Sequence, residues 1–307
     1  MRKIILLFII LTIHPLISGA CDICGCGIGN SYLGILPDFR NHIFGLRYRY
    51  NSMLTHVGLN GNNTYLTTKE IYNTAEVWGG WNLGTRFRII GIIPYSYNQR
   101  SNQGITNKKN GLGDISLSGF YKLFSSQKTT GKNKLFTQSL WLGGGIKLAT
   151  GKYNPKDKSS TSENLNLFQL GSGSTDFSIS GMYDVRVQNA GLNLSSSYKI
   201  NTENKYDYQY GNKFNLSAQV YYKFNIKNKV TVAPNAGIQY EKSQKDFDSG
   251  FEVSASGGNL SLTTIGVEVS FKKVAIGANF QTSLSQNLAD GIAKANNRMM
   301  VHFAIAL

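Results

Sequence analysis

The stretch 213–240, KFNLSAQVYYKFNIKNKVTVAPNAGIQY, sets Phe214, Leu216, Ala218, Val220, Tyr222, Phe224 and Ile226 on every second position, with Lys213, Asn215, Ser217, Gln219, Lys223 and Asn225 between them. A period of two is a strand period, with one face apolar and the other polar. A short turn at 226–229 leads to a second alternating run through Val230, Val232, Ala236, Ile238 and Tyr240. Strands of this length exceed the usual run of soluble sheets and suit a tilted crossing of a bilayer.

The pattern recurs along the chain. Strands are predicted near 44–51, 68–81, 86–95, 112–124, 135–149, 175–188, 192–200, 213–226, 230–240, 260–271, 274–284 and 299–307. Long polar connections near 53–67, 98–111, 150–174, 201–212, 241–258 and 286–296 alternate with tight turns near 82–85, 188–191, 226–229 and 271–274, the stretch near 125–134 being longer. A membrane barrel with turns at one end and loops at the other shows this alternation, and a soluble sandwich gives no reason for it. The expected fold is therefore all-β, a transmembrane antiparallel β-barrel of about twelve strands. Closure leaves no strand edge unpaired in lipid. The composition agrees: 16% of residues are charged, and there are 33 Gly, 17 Tyr and 16 Phe. The formal charge of +15 points to anionic partners or lipid phosphates. The cations are dispersed, with no basic block and no zinc-finger or aromatic RNA-binding motif, so nucleic acid is not an expected partner.

Residues 1–20 have a basic start (Arg2, Lys3), an apolar core from Ile4 to Ile13 and a small-residue end at Ser18-Gly19-Ala20. This reads as a secretory signal peptide, too short to span a bilayer. The domain division is then 1–20 signal peptide, 21–40 Cys-rich periplasmic segment and 41–307 barrel. The expected destination is the outer membrane of a Gram-negative bacterium, with outer-membrane lipid and a small solute as partners. Cys21, Cys24 and Cys26 leave three readings open: a local disulfide or no special role, a thiolate site for copper or zinc, or lipidation of Cys21. Ser18 stands where a lipobox would have Leu, and no His or fourth Cys lies near enough in sequence to complete a tetrahedral shell. No other cofactor is expected.

If the apolar parity faces lipid, Arg47, Arg49, Arg86, Arg88, Lys122, Lys147, Arg186, Lys199, Lys213, Lys223 and His302 turn inward with fewer acids, chiefly Glu76, Asp114, Asp176 and Asp184. A wet, net-positive lumen would favour anions. After the leader the histidines are His42, His56 and His302, and His302 has no Ser or acid at telling spacing, so no enzyme is expected. The glycine runs 143–145 and 171–173 precede no helix and are not phosphate loops.

Three further pieces stand out: Gly111-Leu112-Gly113-Asp114, Ala149-Thr150-Gly151-Lys152-Tyr153, and Gln169-Leu170-Gly171-Ser172-Gly173-Ser174-Thr175-Asp176. Together they resemble the signature of a family of outer-membrane transporters labelled after phenol meta-cleavage pathways, with Ala149 where that family usually has Pro. The cysteine cluster lies outside these motifs and is similar to the mature start of related chains from Bacteroidota-like bacteria. The resemblance implies an outer-membrane channel or transporter for small solutes, and nothing in the residues speaks for an aromatic substrate. The alternatives are a soft-metal binding or uptake protein using the cysteines, and a structural or adhesive barrel.

Overall fold

The computed structural model describes residues 42–58, 61–131, 134–157, 166–227 and 229–307. The signal peptide, the 21–40 segment and Cys21, Cys24 and Cys26 lie outside the described residues. The wall is built from β1 (Ile43–Thr55), β2 (Thr68–Leu83), β3 (Phe87–Asn102), β4 (Ile105–Leu112), β5 (Ser116–Thr130), β6 (Lys134–Lys147), β7 (Asp176–Val187) and β8 (Ala190–Ile200). It continues through β10 (Lys213–Tyr222), β11 (Phe224–Ile226), β12 (Val230–Ser243), β15 (Gly258–Phe271), β16 (Val274–Leu288) and β17 (Lys294–Ala306). The short β9 (Tyr208–Gln209), β13 (Phe247–Asp248) and β14 (Phe251–Glu252) form a separate sheet among the loops.

β4 and β5 both pair with β3 and make one wall strand bent at 113–115, and β10 and β11 both pair with β12. So counted, twelve antiparallel strands follow one another and close where β1 meets β17. Chain neighbours are wall neighbours throughout, so every connection is a hairpin. One end of the barrel carries the tight turns, the start of β1 and the end of β17, and the other carries the loops.

Two connections differ from expectation. Residues 98–111, read as a loop, are a hairpin formed by the end of β3 and all of β4, turning at Gln103-Gly104. Nearly all of β4 is exposed. The hairpin extends into water, so its residues are polar on both faces and lose the alternation that marks a strand in lipid. Around 125–134, β5 and β6 stay paired to Thr130 and Lys134, which makes this connection a turn like the others.

Outward-facing positions form a continuous apolar belt that includes Phe44, Leu46, Val77, Trp81, Ile93, Leu117, Ile179, Val220, Ile238, Ile265 and Ile276, all well exposed. An apolar surface that encircles a chain is far larger than soluble monomers tolerate, and lipid is the solvent that stabilises it. No helix among the described residues is long and apolar enough to cross a membrane, and the apolar belt lies on the strands. Ile265 lies midway along β15, 61% exposed, paired with Ala236. Changing Ile265 to Arg is expected to destabilise the folded barrel by ~2–4 kcal/mol, as a cation at the bilayer midplane does. Urea unfolding in lipid vesicles measures this, and unchanged stability would remove the lipid assignment of this face.

Candidate permeation pathway

Strand alternation sends every second side chain inward, and the two halves of the wall receive different residues. β7, β8, β10 and β12 turn small polar side chains inward: Ser178, Ser180, Ser195, Ser197, Asn215, Ser217, Asn235 and Gln239. The other half carries bulk. Towards the turn end Ile43, Trp78, Ile90, Ile92, Phe120 and Trp141 pack together, and towards the loop end Met53, Tyr72, Leu260, Leu262 and Leu288 form a second apolar cluster. Between them Glu76 takes the guanidinium groups of both Arg47 and Arg49, the latter at 2.5 Å. Open space is thus displaced against the serine wall, where a pocket is lined by Phe120 and Met182 together with Ser195, Ser197, Asn215 and Ser217 of β8 and β10.

The loop end is narrowed by the β6–β7 connection, described over 148–157 and 166–175. It leaves one wall of the barrel and inserts Leu167 into the apolar cluster of β1, β2 and β15–β17 on the opposite wall. Neighbouring residues are held on the way. Phe168 lies under the cations of Arg100 and Lys109, at 4.7 and 4.9 Å from the ring centre, and its carbonyl accepts from Lys109 Nζ at 2.5 Å. Gln169 bonds both backbone groups of Asn154 at 2.9 Å, and its own carbonyl accepts from Asn98 Nδ2 at 3.3 Å. Tyr210 donates to the Asn166 carbonyl at 3.0 Å and stacks edgewise on Tyr208, whose hydroxyl donates to Asp246 at 2.6 Å. Burial pushes the Tyr153 phenol of this cluster above its ordinary value.

The three signature pieces meet at the base of this connection. Asp114 Oδ1 accepts from Gly151 N at 2.8 Å, and Oδ2 accepts from Ser172 N at 2.9 Å and Lys147 Nζ at 2.6 Å. Thr150 Oγ1 donates to the Gly113 carbonyl and accepts from Ile115 N, which ties the bend between β4 and β5 to the end of β6. Gly151 and Gly171 touch through their backbones: a Cβ on Gly171 would lie 2.6 Å from the Gly151 carbonyl oxygen, so only glycine fits at the crossing. Asp176, fully buried, lies 2.8 Å from Lys147 and 3.1 Å from Lys199. Its Oδ1 accepts from Ser174 Oγ and Thr202 N. Sequence reading placed Asp114 and Asp176 among the inward-turned acids without linking them to each other. The structure makes them the two carboxylates of one buried knot.

The cations singled out in the sequence fall in different places. Arg47 and His302 face each other across the β1–β17 pair, both buried, and Arg88 and Lys147 are also buried on the inward face. Arg49 is partly buried beside Glu76. Arg186 and Lys223 sit at the turn end, with Arg186 donating to the Gln188 carbonyl and Lys223 lying 5.4 Å from the Tyr221 ring centre. Arg86 does not line the lumen. It follows β2, in the turn after Gly84, where strand parity no longer holds, and it reaches the Tyr121 hydroxyl on the outer face at 3.4 Å. Sequence reasoning missed Glu241, which takes Arg298 at 2.7 Å, and Glu70, which takes Arg100 at 2.9 Å. Their signal was the inward parity shared with Gln239 and Tyr72. Among the described residues no three His, Cys, Asp or Glu side chains are grouped to hold a metal ion.

A closed, lipid-belted barrel with a polar void and a segment folded into its mouth defines a class of membrane-spanning β-barrel with a restricted lumen. Residues 51–296 match the family described as the MetA pathway of phenol degradation, and the chain belongs to that family. Among solved structures, an outer membrane channel from Pseudomonas putida F1 is similar at 12% identity with a TM-score of 0.60, over 96% of this chain and 100% of that one. The β domain of the Bordetella autotransporter BrkA is similar at 9% identity with a TM-score of 0.50, over 87% of this chain and 100% of that one. At such identities the likeness speaks for the fold. No curated protein matches the sequence.

Proposed function

We propose that this chain is an outer-membrane channel for small solutes, with the solute passing along the serine wall and the β6–β7 connection governing entry. The observation that carries the reading is the open space against a hydroxyl-lined stretch of wall inside a closed barrel with an apolar exterior. The similar fold of a protein described as an outer membrane channel supports it. In barrels of this kind the short turns face the periplasm and the loops face outward, so the knot and the Leu167 contact guard the external mouth.

The expected charge preference is slight. Arg47 and Arg49 share Glu76, Lys147 has Asp114 and Asp176, Lys199 has Asp176, and Arg298 has Glu241, so most of the inward positive charge is compensated within the wall. Pairing of this kind supports weak anion selectivity in place of the strong preference that unpaired lysines and arginines would give. Purified protein in a planar bilayer should show discrete conductance steps with a reversal potential close to zero in a salt gradient. A silent bilayer containing correctly folded protein would overturn the channel reading, and a steep anion preference would overturn the compensation argument.

A further inference from the structure

The turn end of the barrel is cationic, whereas the loop end mixes both signs. We propose that two neighbouring hairpin turns form a docking surface for an anionic phospholipid, its phosphate held by Lys227, Lys229, Lys272 and Lys273 and its acyl chains lying on the apolar belt above them. The inference rests on the lipid assignment of that belt. From the channel reading it takes only that the turn end faces the periplasm, which makes the lipid one of the periplasmic leaflet.

The register brings the four lysines together. One pair lies in the turn between β11 and β12, the other in the turn between β15 and β16. β12 and β15 are wall neighbours with Val230 opposite Phe271, so Lys229, just before Val230, and Lys272, just after Phe271, leave the wall side by side. Neighbouring strands lie ~4.8 Å apart, close enough for lysines of both turns to reach one phosphate. All four are exposed, and none has a carboxylate partner among the described residues. The segments 222–233 and 269–277 contain no Asp or Glu at all. Arg86, Lys128 and Lys134 continue this acid-free rim at two further turns, where 83–88 and 120–136 also lack Asp and Glu. At the loop end cations meet acids instead: Lys245 lies between Asp290 at 3.2 Å and Glu252 at 3.4 Å, and Lys109 pairs with Asp157. Like charges gathered without protein counter-charges repel one another, and an external anion relieves that repulsion.

The belt decides which anion. Phe224, Ile226 and Phe271 are well exposed on the outer face of the same hairpins, and the Tyr222 and Phe224 rings lie 4.7 Å apart. Aromatic side chains at the edge of an apolar belt mark the bilayer interface, and lysines just beyond it reach the headgroups. Lys272 Nζ lies 5.2 Å from the centre of the Phe271 ring, so cation and belt form one continuous surface. A free phosphate or an acidic protein would use only the lysines. An amphiphile with a negative head uses both parts.

Native mass spectrometry of the full chain in detergent micelles tests this with dioleoylphosphatidylglycerol, dioleoylphosphatidylcholine, glycerol 3-phosphate and polyglutamate. Phosphatidylglycerol should bind about tenfold or more tightly than phosphatidylcholine, since each lysine at an anionic headgroup contributes about fivefold. The combined variant Lys227→Asn, Lys229→Asn, Lys272→Asn and Lys273→Asn removes the charge, and asparagine tolerates the positive φ of residues 227 and 272. It should weaken phosphatidylglycerol about tenfold and leave phosphatidylcholine unchanged. A matched loop-end variant, Lys69→Asn, Lys108→Asn, Lys156→Asn and Lys205→Asn, should keep the preference, with heat-modifiable gel migration showing that both barrels have folded. Equal binding of the two lipids, a preference that survives the turn-end variant or is lost equally in the loop-end one, or displacement of the lipid by equimolar glycerol 3-phosphate or polyglutamate would overturn the proposal. Protein that conducts in a planar bilayer but shows no lipid preference sinks this inference and leaves the channel standing. Protein that keeps the preference but never conducts does the reverse.

Discussion

Leu167→Asp is expected to raise single-channel conductance several-fold without unfolding the barrel. Leu167 is 2% exposed and packs against Met53, Tyr72, Leu260, Leu262 and Leu288 on the wall opposite its own strands. Burying a leucine contributes ~1.5–3 kcal/mol, and a carboxylate in its place adds a desolvation cost of several more. Glu70, whose carboxylate bonds the Tyr72 hydroxyl beside the cluster, adds like-charge repulsion. The remaining anchors, chiefly the cations around Phe168 and the Gln169 bonds, are single polar contacts of ~0.5–1.5 kcal/mol each. They cannot hold the docked state against such a penalty, so the segment leaves the mouth. The wall stays intact, because its backbone pairing runs through twelve strands that do not include Leu167. Leu167→Met, close in volume and polarity, should behave as wild type. An unchanged conductance in Leu167→Asp would show that the narrowest point lies elsewhere, most plainly at the Trp78 and Trp141 cluster near the turn end.

The barrel was legible because lipid enforces alternation: every outward position must be apolar, and the run from Phe214 to Ile226 displays that demand in its simplest form. The inward face was less legible because it obeys no such rule. Ile90 and Ile92 are buried inside β3, while Ile89 and Ile93 of the same strand face out, so the sequence there is apolar on both parities. The hairpin at 98–111 was hidden for the opposite reason, since one face meets water and the other meets the folded-in segment through Asn98, Arg100 and Lys109, so neither demands apolar residues. Ser195, Ser197 and Ser217 looked like polar fillers between apolar residues. Only the β8–β10 register, which sets Ser195 beside Ser217 and Ser197 beside Asn215, shows that they share one stretch of inner wall. The signature pieces were legible one at a time, yet Asp114 and Ser172 are far apart in sequence and meet through a segment that folds back into the mouth, which no local pattern reports. Arg86 went astray because the parity of β3 was extended one residue before its start, into the turn from β2.

Asp176→Asn should combine a loss of stability with a gain in anion selectivity. The carboxylate is fully buried between Lys147 and Lys199, and asparagine keeps its volume, so the change removes charge and little else. Lys147 retains Asp114 at 2.6 Å, but Lys199 loses the carboxylate beside it. Removing one partner of a buried pair costs ~3–5 kcal/mol, because the remaining charge stays desolvated without compensation. Thermal unfolding in micelles should shift down accordingly, and adding Lys199→Met should restore much of the loss, the coupling expected of residues in contact. Selectivity follows from position. Asp176, Lys199 and Lys213 lie one inward step from Ser178, Ser197 and Asn215, at the loop end of the serine wall, so an uncompensated cation there faces any ion entering the path. Reversal potentials should move towards the anion value in Asp176→Asn and return in the double variant. If stability falls while selectivity stays put, the knot braces the folded-in segment from outside the ion path, and the route reaches the serines from the β12 side instead.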